Sequence, residues 1–167
     1  LVNAAQSPVI RTALIAEISD EDVRELWESG AVATLALMRA VRPHMIAAGG
    51  GSIVNFGSGA VHNPMQYGVY AGVKAAIQAI SRAAALEWAA DGIRVNVVFP
   101  MSESPAADAD FALDEGRAQA VAKNIPLGRM GDPVEDIGQP IAFLASDESR
   151  FITGSTLALT GGMTYLR

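Results

Sequence analysis

Four short apolar segments, separated by longer helical ones, constrain the fold more than any other feature of this sequence. They are "LVNAA" (1–5), "SIVNFGS" (52–58), "IRVNVVFP" (93–100) and "STLALTGG" (155–162). Each is a nearly continuous apolar run, which is typical of strands that helices cover on both faces. Strands that alternate with helices form right-handed βαβ units. The sequence therefore predicts an α/β fold built on a parallel sheet.

The intervening segments carry helix start and stop signals. The first predicted helix begins at Ser19 as N-cap, followed by three acidic residues, and ends at the glycines of 49–51. A second spans 69–92, and a third spans 133–149 with Asp132 as N-cap and Pro133 in the first position. The polar, acidic segment 101–124 is predicted to be irregular, with a short helix near 112–123.

Composition excludes several classes of function. The net charge is −6 and the two histidines are isolated, so we expect neither nucleic-acid binding nor a metal site. There is no cysteine, which excludes disulfides, thiolate zinc sites and a cysteine nucleophile. No apolar run approaches the roughly 18 residues of a membrane span. We expect a cytoplasmic protein with no membrane partner.

Two of the helical segments are apolar or small nearly all round, at 30–41 and 69–90. Such a helix is buried on more than one side. One side covers the sheet, and a second copy of the chain is the simplest cover for the other. The sequence predicts a homo-oligomer that pairs through these two helices.

The segment "YGVYAGVK" (67–74) places a lysine among small apolar residues. Tyr70 and Lys74 are four apart and share one helix face, whereas Tyr67 precedes the helix. An ammonium about 4 Å from a phenol contributes roughly 4 kcal/mol at an effective dielectric near 20, which lowers the phenol pKa by about three units. We therefore expect Tyr70 to be a general acid or base. Ser58 ends the preceding strand, at the edge where open α/β sheets bind ligands.

The alternative is that this pattern is structural. A packed tyrosine beside a lysine whose ammonium reaches solvent gives the same spacing, and a serine at a strand end is a common turn residue. The order of elements favours the functional interpretation. A strand, Ser58, Tyr70, Lys74 and an Ala-rich helix are followed by "DGIRVNVVFP" (91–100).

This order resembles the short-chain dehydrogenase/reductase family, in its 3-oxoacyl-carrier-protein-reductase-like branch. "LVNAAQ" resembles the family's Asn-Asn-Ala-Gly strand, "MRAVRPHM" its fourth helix, "NFGSG" and "YAGVK" its Ser and Tyr-x-x-x-Lys elements, and 125–162 its C-terminal third. The resemblance covers essentially the whole chain. It implies a single partial domain over 1–167, the C-terminal portion of a doubly wound parallel Rossmann-type sheet without its first strands.

The resemblance also implies the reaction and its residues. Tyr70 would exchange a proton with the oxygen of a carbonyl or secondary alcohol while hydride moves to or from NAD or NADP. Lys74 would lower the Tyr70 pKa and hold the nicotinamide ribose, and Ser58 would orient the small-molecule substrate. Asn3 would lie on the cofactor side of the sheet.

The segment after the third strand would complete the site. The resemblance implies that Pro100 borders the nicotinamide and that Ser104 hydrogen-bonds its carboxamide. The segment 101–124 would form the lid that determines substrate choice.

Four departures from the family pattern qualify this expectation. The sequence contains no glycine-rich phosphate turn after a strand, and nothing in it distinguishes NAD from NADP. Gly30 aligns with the asparagine of the family's fourth helix, and Met101 replaces the glycine after Pro100. "NAAQ" replaces Asn-Asn-Ala-Gly, which puts alanine at Ala4 and a long side chain at Gln6.

These departures leave two alternatives to an active enzyme. The chain is then either a degenerate relative that serves as a binding or assembly subunit, or a piece of a longer, ordinary enzyme, which its non-Met start favours. Because the phosphate turn is missing, we expect the 167 residues by themselves to bind a dinucleotide poorly.

Overall fold

The sheet has four parallel strands in a computed structural model that describes residues 1–7, 13–103 and 117–164. The strands are β1 (Val2–Asn3), β2 (Gly51–Phe56), β3 (Ile93–Pro100) and β4 (Thr156–Leu159), in the spatial order β1-β2-β3-β4. Val54 of β2 lies in register with Val2 of β1 and with Asn96 of β3. The predicted parallel α/β sheet is confirmed, although β1 and β4 are shorter than the apolar runs that predicted them.

The helices differ from prediction mainly in their continuity. The first predicted helix is α1 (Asp20–Trp27) and α2 (Ala33–Ala47), joined by a π-helical turn at Glu28–Val32. The second is α3 (Gly68–Glu87), and α4 (Arg117–Asn124) follows the third strand. The last is a π-helical turn at Pro133–Gly138 that continues into α5 (Gln139–Ala145).

The predicted caps are present. The Asp22 backbone N–H donates to Ser19 Oγ at 3.1 Å. Both Val134 and Glu135 donate their backbone N–H groups to Asp132 Oδ1 at 2.8 Å. Because each cap pairs backbone donors that a helix cannot pair itself, these polar residues determine where the helices begin.

The core is divided between the two faces of the sheet. Alternate residues of one strand point to opposite faces, so Ile53 packs beneath α2 and α3 and Val54 packs with Leu144 of α5. This two-sided cover explains the continuous apolar runs of the strands. A third cluster contains Leu26, Ala31, Val73 and Ile77, and it packs α1 and the first π turn against α3. None of the described helices is long and apolar enough to cross a membrane.

Candidate active site

The carboxyl ends of the parallel strands bring most of the predicted site residues to one edge of the sheet. Asn3 ends β1, Ser58 follows β2, and Pro100 ends β3. Tyr70 and Lys74 lie in the first turns of α3, which leads away from the same edge. This is the edge at which doubly wound sheets bind ligands.

Ser58 is held by the turn that follows β2. Its Oγ accepts a hydrogen bond from the Ala60 backbone N–H at 3.2 Å and caps a short 3-10 turn. The residue before it has no room for a side chain, because a Cβ on Gly57 would lie 2.4 Å from Cε1 of Phe99. Gly57 therefore lets the chain pass close over Phe99 and present Ser58 at the sheet edge. This role of Gly57 was not predicted, although the glycine in "NFGSG" indicates it.

Tyr70 lies close to Ser58, and burial is the main influence on the pKa of its phenol. Burial raises the pKa of Tyr70 above its ordinary value, the Ser58 hydrogen bond lowers the pKa in part, and the neighbouring Tyr67 raises it further. The expected fall of the Tyr70 pKa is therefore wrong. The net direction is upward because desolvation of the phenolate exceeds the stabilising contacts.

Lys74 is buried rather than extended into solvent, with 6% of its surface exposed. Its Nζ donates to the carbonyl oxygen of Phe56 at 2.9 Å and lies 5.6 Å from the centre of the Tyr70 ring. Burial lowers the pKa of Lys74 to about 8. A snorkelling lysine would show none of these features, so the geometry disfavours the purely structural interpretation of the Tyr70–Lys74 pair.

Tyr67 occupies a different position from Tyr70. It is the residue before α3, and its ring centre lies 6.4 Å from that of Tyr70 at a tilt of 60°. The preceding residue, Gln66, has a positive φ of 65°, which is uncommon for a residue with a side chain. As the sequence predicted, Tyr67 precedes the helix, whereas Tyr70 lies within it, one turn before Lys74.

Asn3 is buried, and a chain of hydrogen bonds orients it. Its Nδ2 donates to Asn55 Oδ1 at 2.8 Å, and Asn55 Nδ2 donates to Ser81 Oγ at 2.8 Å. Ser81 in turn donates to the Ile77 carbonyl at 2.6 Å. Asn3 Oδ1 is sealed from solvent and has no partner within the described part of the chain. Since buried polar atoms are almost always paired, this oxygen is suited to accept a hydrogen bond from a hydroxyl of a bound molecule.

The segment after β3 borders an open pocket of about 460 Å³. Met101 continues the pairing of β3, because its backbone N–H donates to the Leu159 carbonyl at 2.9 Å. Met101 lines the pocket together with Arg129 and the turn after β4. Ser104 and much of the predicted lid lie outside the described residues, so their predicted roles are not tested.

Gly30 lies in the π turn between α1 and α2 and is buried. A Cβ at this position would lie 2.4 Å from Cγ1 of Val73 and 3.3 Å from Nε2 of Gln6. The π turn interrupts the helix that the sequence predicted to be continuous. The contact between Gln6 and Gly30 was not predicted, because residues so far apart in the chain meet only through the tertiary fold.

Comparison with known proteins gives a consistent result. The sequence model of the enoyl-(acyl carrier protein) reductase family matches residues 1–164. The chain is 35% identical to a 12alpha-hydroxysteroid dehydrogenase of Clostridium sp., over 98% of this chain and 62% of the relative. It is also 35% identical to a 3-oxoacyl-[acyl-carrier-protein] reductase of Haemophilus influenzae, over 98% of this chain and 66% of the relative. The chain therefore spans 62% and 66% of the lengths of these two curated relatives.

Solved structures agree with the sequence relatives. An oxidoreductase of the short chain dehydrogenase/reductase family from Burkholderia thailandensis superimposes with a TM-score of 0.87 at 28% identity, covering 97% of this chain and 63% of that one. ElxO with NADP bound superimposes with a TM-score of 0.87 at 26% identity, covering 97% of this chain and 65% of that one. The arrangement of strands and helices described above is therefore shared with known oxidoreductases.

Proposed function

The chain belongs to the short-chain dehydrogenase/reductase family, and from this we propose that it carries the catalytic part of an NAD(P)-dependent oxidoreductase. The proposed reaction interconverts a carbonyl and a secondary alcohol on a small-molecule substrate. The observation that carries the proposal is the buried Lys74 ammonium, which lies 5.6 Å from the centre of the Tyr70 ring, with Ser58 close to the Tyr70 phenol. A tyrosine and a lysine with a purely structural role would not require a desolvated ammonium beside the phenol.

Tyr70 is the proposed proton donor in the direction of reduction. Because its pKa is raised, the phenol keeps its proton at neutral pH and can donate it to a carbonyl oxygen. Ser58 would donate a hydrogen bond to the same oxygen and fix its position. When bound, the dinucleotide supplies the hydride that completes the alcohol, so that one hydride and one proton are added to the carbonyl.

Lys74 and Asn3 are the proposed contacts for the nicotinamide end of the cofactor. Lys74 Nζ has three N–H donors, and its one hydrogen bond in the described chain, to Phe56, leaves two for ligand hydroxyls. Asn3 Oδ1 offers an unpaired acceptor at the same edge of the sheet. Donors and acceptors of this kind fit a ribose, and Pro100 would border the ring. The proposal keeps Ser104 as the contact of the nicotinamide carboxamide and 101–124 as the lid that determines substrate choice.

We also propose that the protein is a homo-oligomer that pairs through α2 and α3. The exposed residues of α3 include the small residues Gly72, Ala75, Ala79 and Ala83, besides Arg82 and Glu87, and Leu86 is 76% exposed. Leu37 of α2 is 51% exposed. Ala83→Glu should shift sedimentation of the natural protein toward smaller species, and an unchanged sedimentation coefficient would contradict the proposal. Ala83 suits this test better than Ala76, which packs against the core cluster of Leu26.

The decisive test of the reaction is Tyr70→Phe in the full natural protein, with Tyr67→Phe as the matched control. Removing the Tyr70 hydroxyl should lower the rate of NADH- or NADPH-dependent carbonyl reduction by at least about a hundredfold, the lower range of a general acid's contribution. Tyr67→Phe should do much less. Equal activity of the two variants would reject Tyr70 as the acid. A protein that binds neither dinucleotide nor carbonyl would instead support the non-catalytic alternative.

A further inference from the structure

The space beside Gly30 is filled by a side chain from another part of the chain. Gln6, three residues beyond the end of β1, places its Nε2 3.3 Å and its Cδ 3.5 Å from the position of a Cβ on Gly30. Val73 of α3 approaches the same position to 2.4 Å. The carboxamide of Gln6 therefore lies where a side chain at position 30 would project.

This contact lies next to the proposed site. Val73 is fully buried and immediately precedes Lys74, so the π turn at Glu28–Val32 rests on the part of α3 that carries the reactive pair. A π turn inserts an extra residue into a helix, which weakens it, and such turns occur frequently at functional sites. Gln6 therefore lies against an irregular turn that packs on α3, and stability alone does not explain that irregularity.

The amide nitrogen of Gln6 has no partner. Nε2 is sealed from solvent, and no hydrogen-bond acceptor for it occurs in residues 1–7, 13–103 or 117–164. An unpaired buried N–H destabilises a fold, whereas an apolar side chain of the same length would fill this space without that penalty. Packing therefore explains a long side chain at position 6 but does not explain its amide.

We propose that Gln6 is a binding residue of this site, with its Nε2–H donating a hydrogen bond to an oxygen atom beside the Tyr70–Lys74 pair. The inference rests on the proposed function. Two sources can supply an oxygen acceptor, namely a hydroxyl of the bound dinucleotide and an ordered water. Glycine at position 30 is what leaves room for the amide.

Gln6→Met separates the amide from the packing, because methionine has the same length and no N–H donor. In the full natural protein, the variant should keep or raise the melting temperature, since it removes an unpaired buried donor. If the oxygen belongs to the cofactor, the Kd for NADH or NADPH, measured by fluorescence titration, should rise about tenfold. If the oxygen is that of a water, the Kd should hold while kcat falls about tenfold and its pH profile moves.

Gly30→Ala tests the same contact from the other side. Its added methyl group would overlap Val73 and crowd the Gln6 amide, so it should reproduce the Gln6→Met change in Kd or in kcat. Gly138→Ala is the matched control, because this glycine also lies in a π-helical turn and a Cβ there would meet nothing nearer than the Pro133 carbonyl oxygen at 3.4 Å. The control should leave both quantities unchanged.

One result would overturn the inference. If folded Gln6→Met keeps the natural Kd, kcat and pH profile, the amide binds nothing of consequence. When Tyr70→Phe is inactive in the same assays, that result rejects the role of Gln6 alone. When Tyr70→Phe is also fully active, the proposed function itself fails, and the role of Gln6 fails with it.

Discussion

Two buried asparagines, Asn3 on β1 and Asn96 on β3, differ in how completely their side chains are hydrogen-bonded. Asn96 of β3 donates from Nδ2 to the Ile152 carbonyl at 2.9 Å and accepts the Ser155 backbone N–H at 3.1 Å. Asn3 of β1 is 8% exposed against 1% for Asn96, yet its Oδ1 has no partner in the described chain. The same residue type thus serves the fold where its hydrogen bonds are complete and suits a ligand where one is missing.

The contrast extends beyond the two asparagines. On the β3–β4 side, polar groups join β3 to the loop that precedes β4: the Arg94 guanidinium donates to the Ser146 carbonyl at 3.0 Å, and the Val95 N–H to Thr153 Oγ1 at 3.1 Å. On the β1 side, Gln6 keeps an unpaired donor and Lys74 is desolvated. Functional sites often retain unpaired or desolvated polar groups that destabilise the fold, and favourable interactions elsewhere compensate for them.

The largest effect should come from Asn96→Ala. The change removes two hydrogen bonds: the Ser155 N–H loses its acceptor, and the Ile152 carbonyl keeps only the 3.4 Å hydrogen bond from Arg94 Nη1. A lost hydrogen bond contributes about 0.5–1.5 kcal/mol and a donor left without an acceptor costs about 1–3 kcal/mol, so the free energy of unfolding should fall by roughly 2–4 kcal/mol. Urea denaturation measures this loss. The folded fraction should still bind the dinucleotide with natural affinity, and a specific loss of affinity would erase the distinction between the two sides.

Asn3→Ala should give the reverse pattern with a smaller effect. The fold loses one hydrogen bond, from Asn3 Nδ2 to Asn55 Oδ1, and that buried oxygen is left unpaired, so the free energy of unfolding should fall by about 1–2 kcal/mol. The dinucleotide loses an acceptor for one of its hydroxyls, so its Kd should rise about tenfold in calorimetric titration. A variant that is strongly destabilised but binds normally would show that Asn3 belongs with Asn96.

The sequence predicted the parts of this contrast that depend on local pattern. Continuous apolar runs predicted the parallel strands, Ser19 and Asp132 predicted the helix starts, and the spacing of Tyr70 and Lys74 placed them on one face. These features depend on residues close together in the chain, where periodicity and capping chemistry determine structure.

The remaining features depend on contacts between distant segments. The meeting of Gln6 with Gly30, the unpaired oxygen of Asn3 and the Lys74 bond to the Phe56 carbonyl follow only from the assembled fold. The pKa of Tyr70 was expected to fall because an ammonium about 4 Å from the phenol, at an effective dielectric near 20, would stabilise the phenolate. Burial, which sequence spacing does not report, reversed that direction.

The smallest effect concerns the stability of Lys74→Met as a function of pH. This variant tests whether the buried lysine on the β1 side destabilises the fold. Burial lowers the pKa of Lys74 from 10.5 to about 8, so below pH 8 the folded protein holds a charged ammonium that it disfavours. Between pH 8 and 10.5 the unfolded chain binds this proton and the folded chain does not. The lysine's unfavourable contribution to the free energy of unfolding therefore diminishes as pH rises through that window.

Methionine removes the buried charge and also the hydrogen bond to the Phe56 carbonyl, so the two changes partly cancel. At pH 7 the variant should be more stable than the natural protein by about 1 kcal/mol, and by pH 10 this advantage should disappear. Urea denaturation across pH 7–10 measures the difference, and the variant should be inactive throughout. If Lys74→Met were instead less stable at pH 7, the lysine would stabilise the fold, and the β1 side would resemble the β3–β4 side in the use of its polar groups.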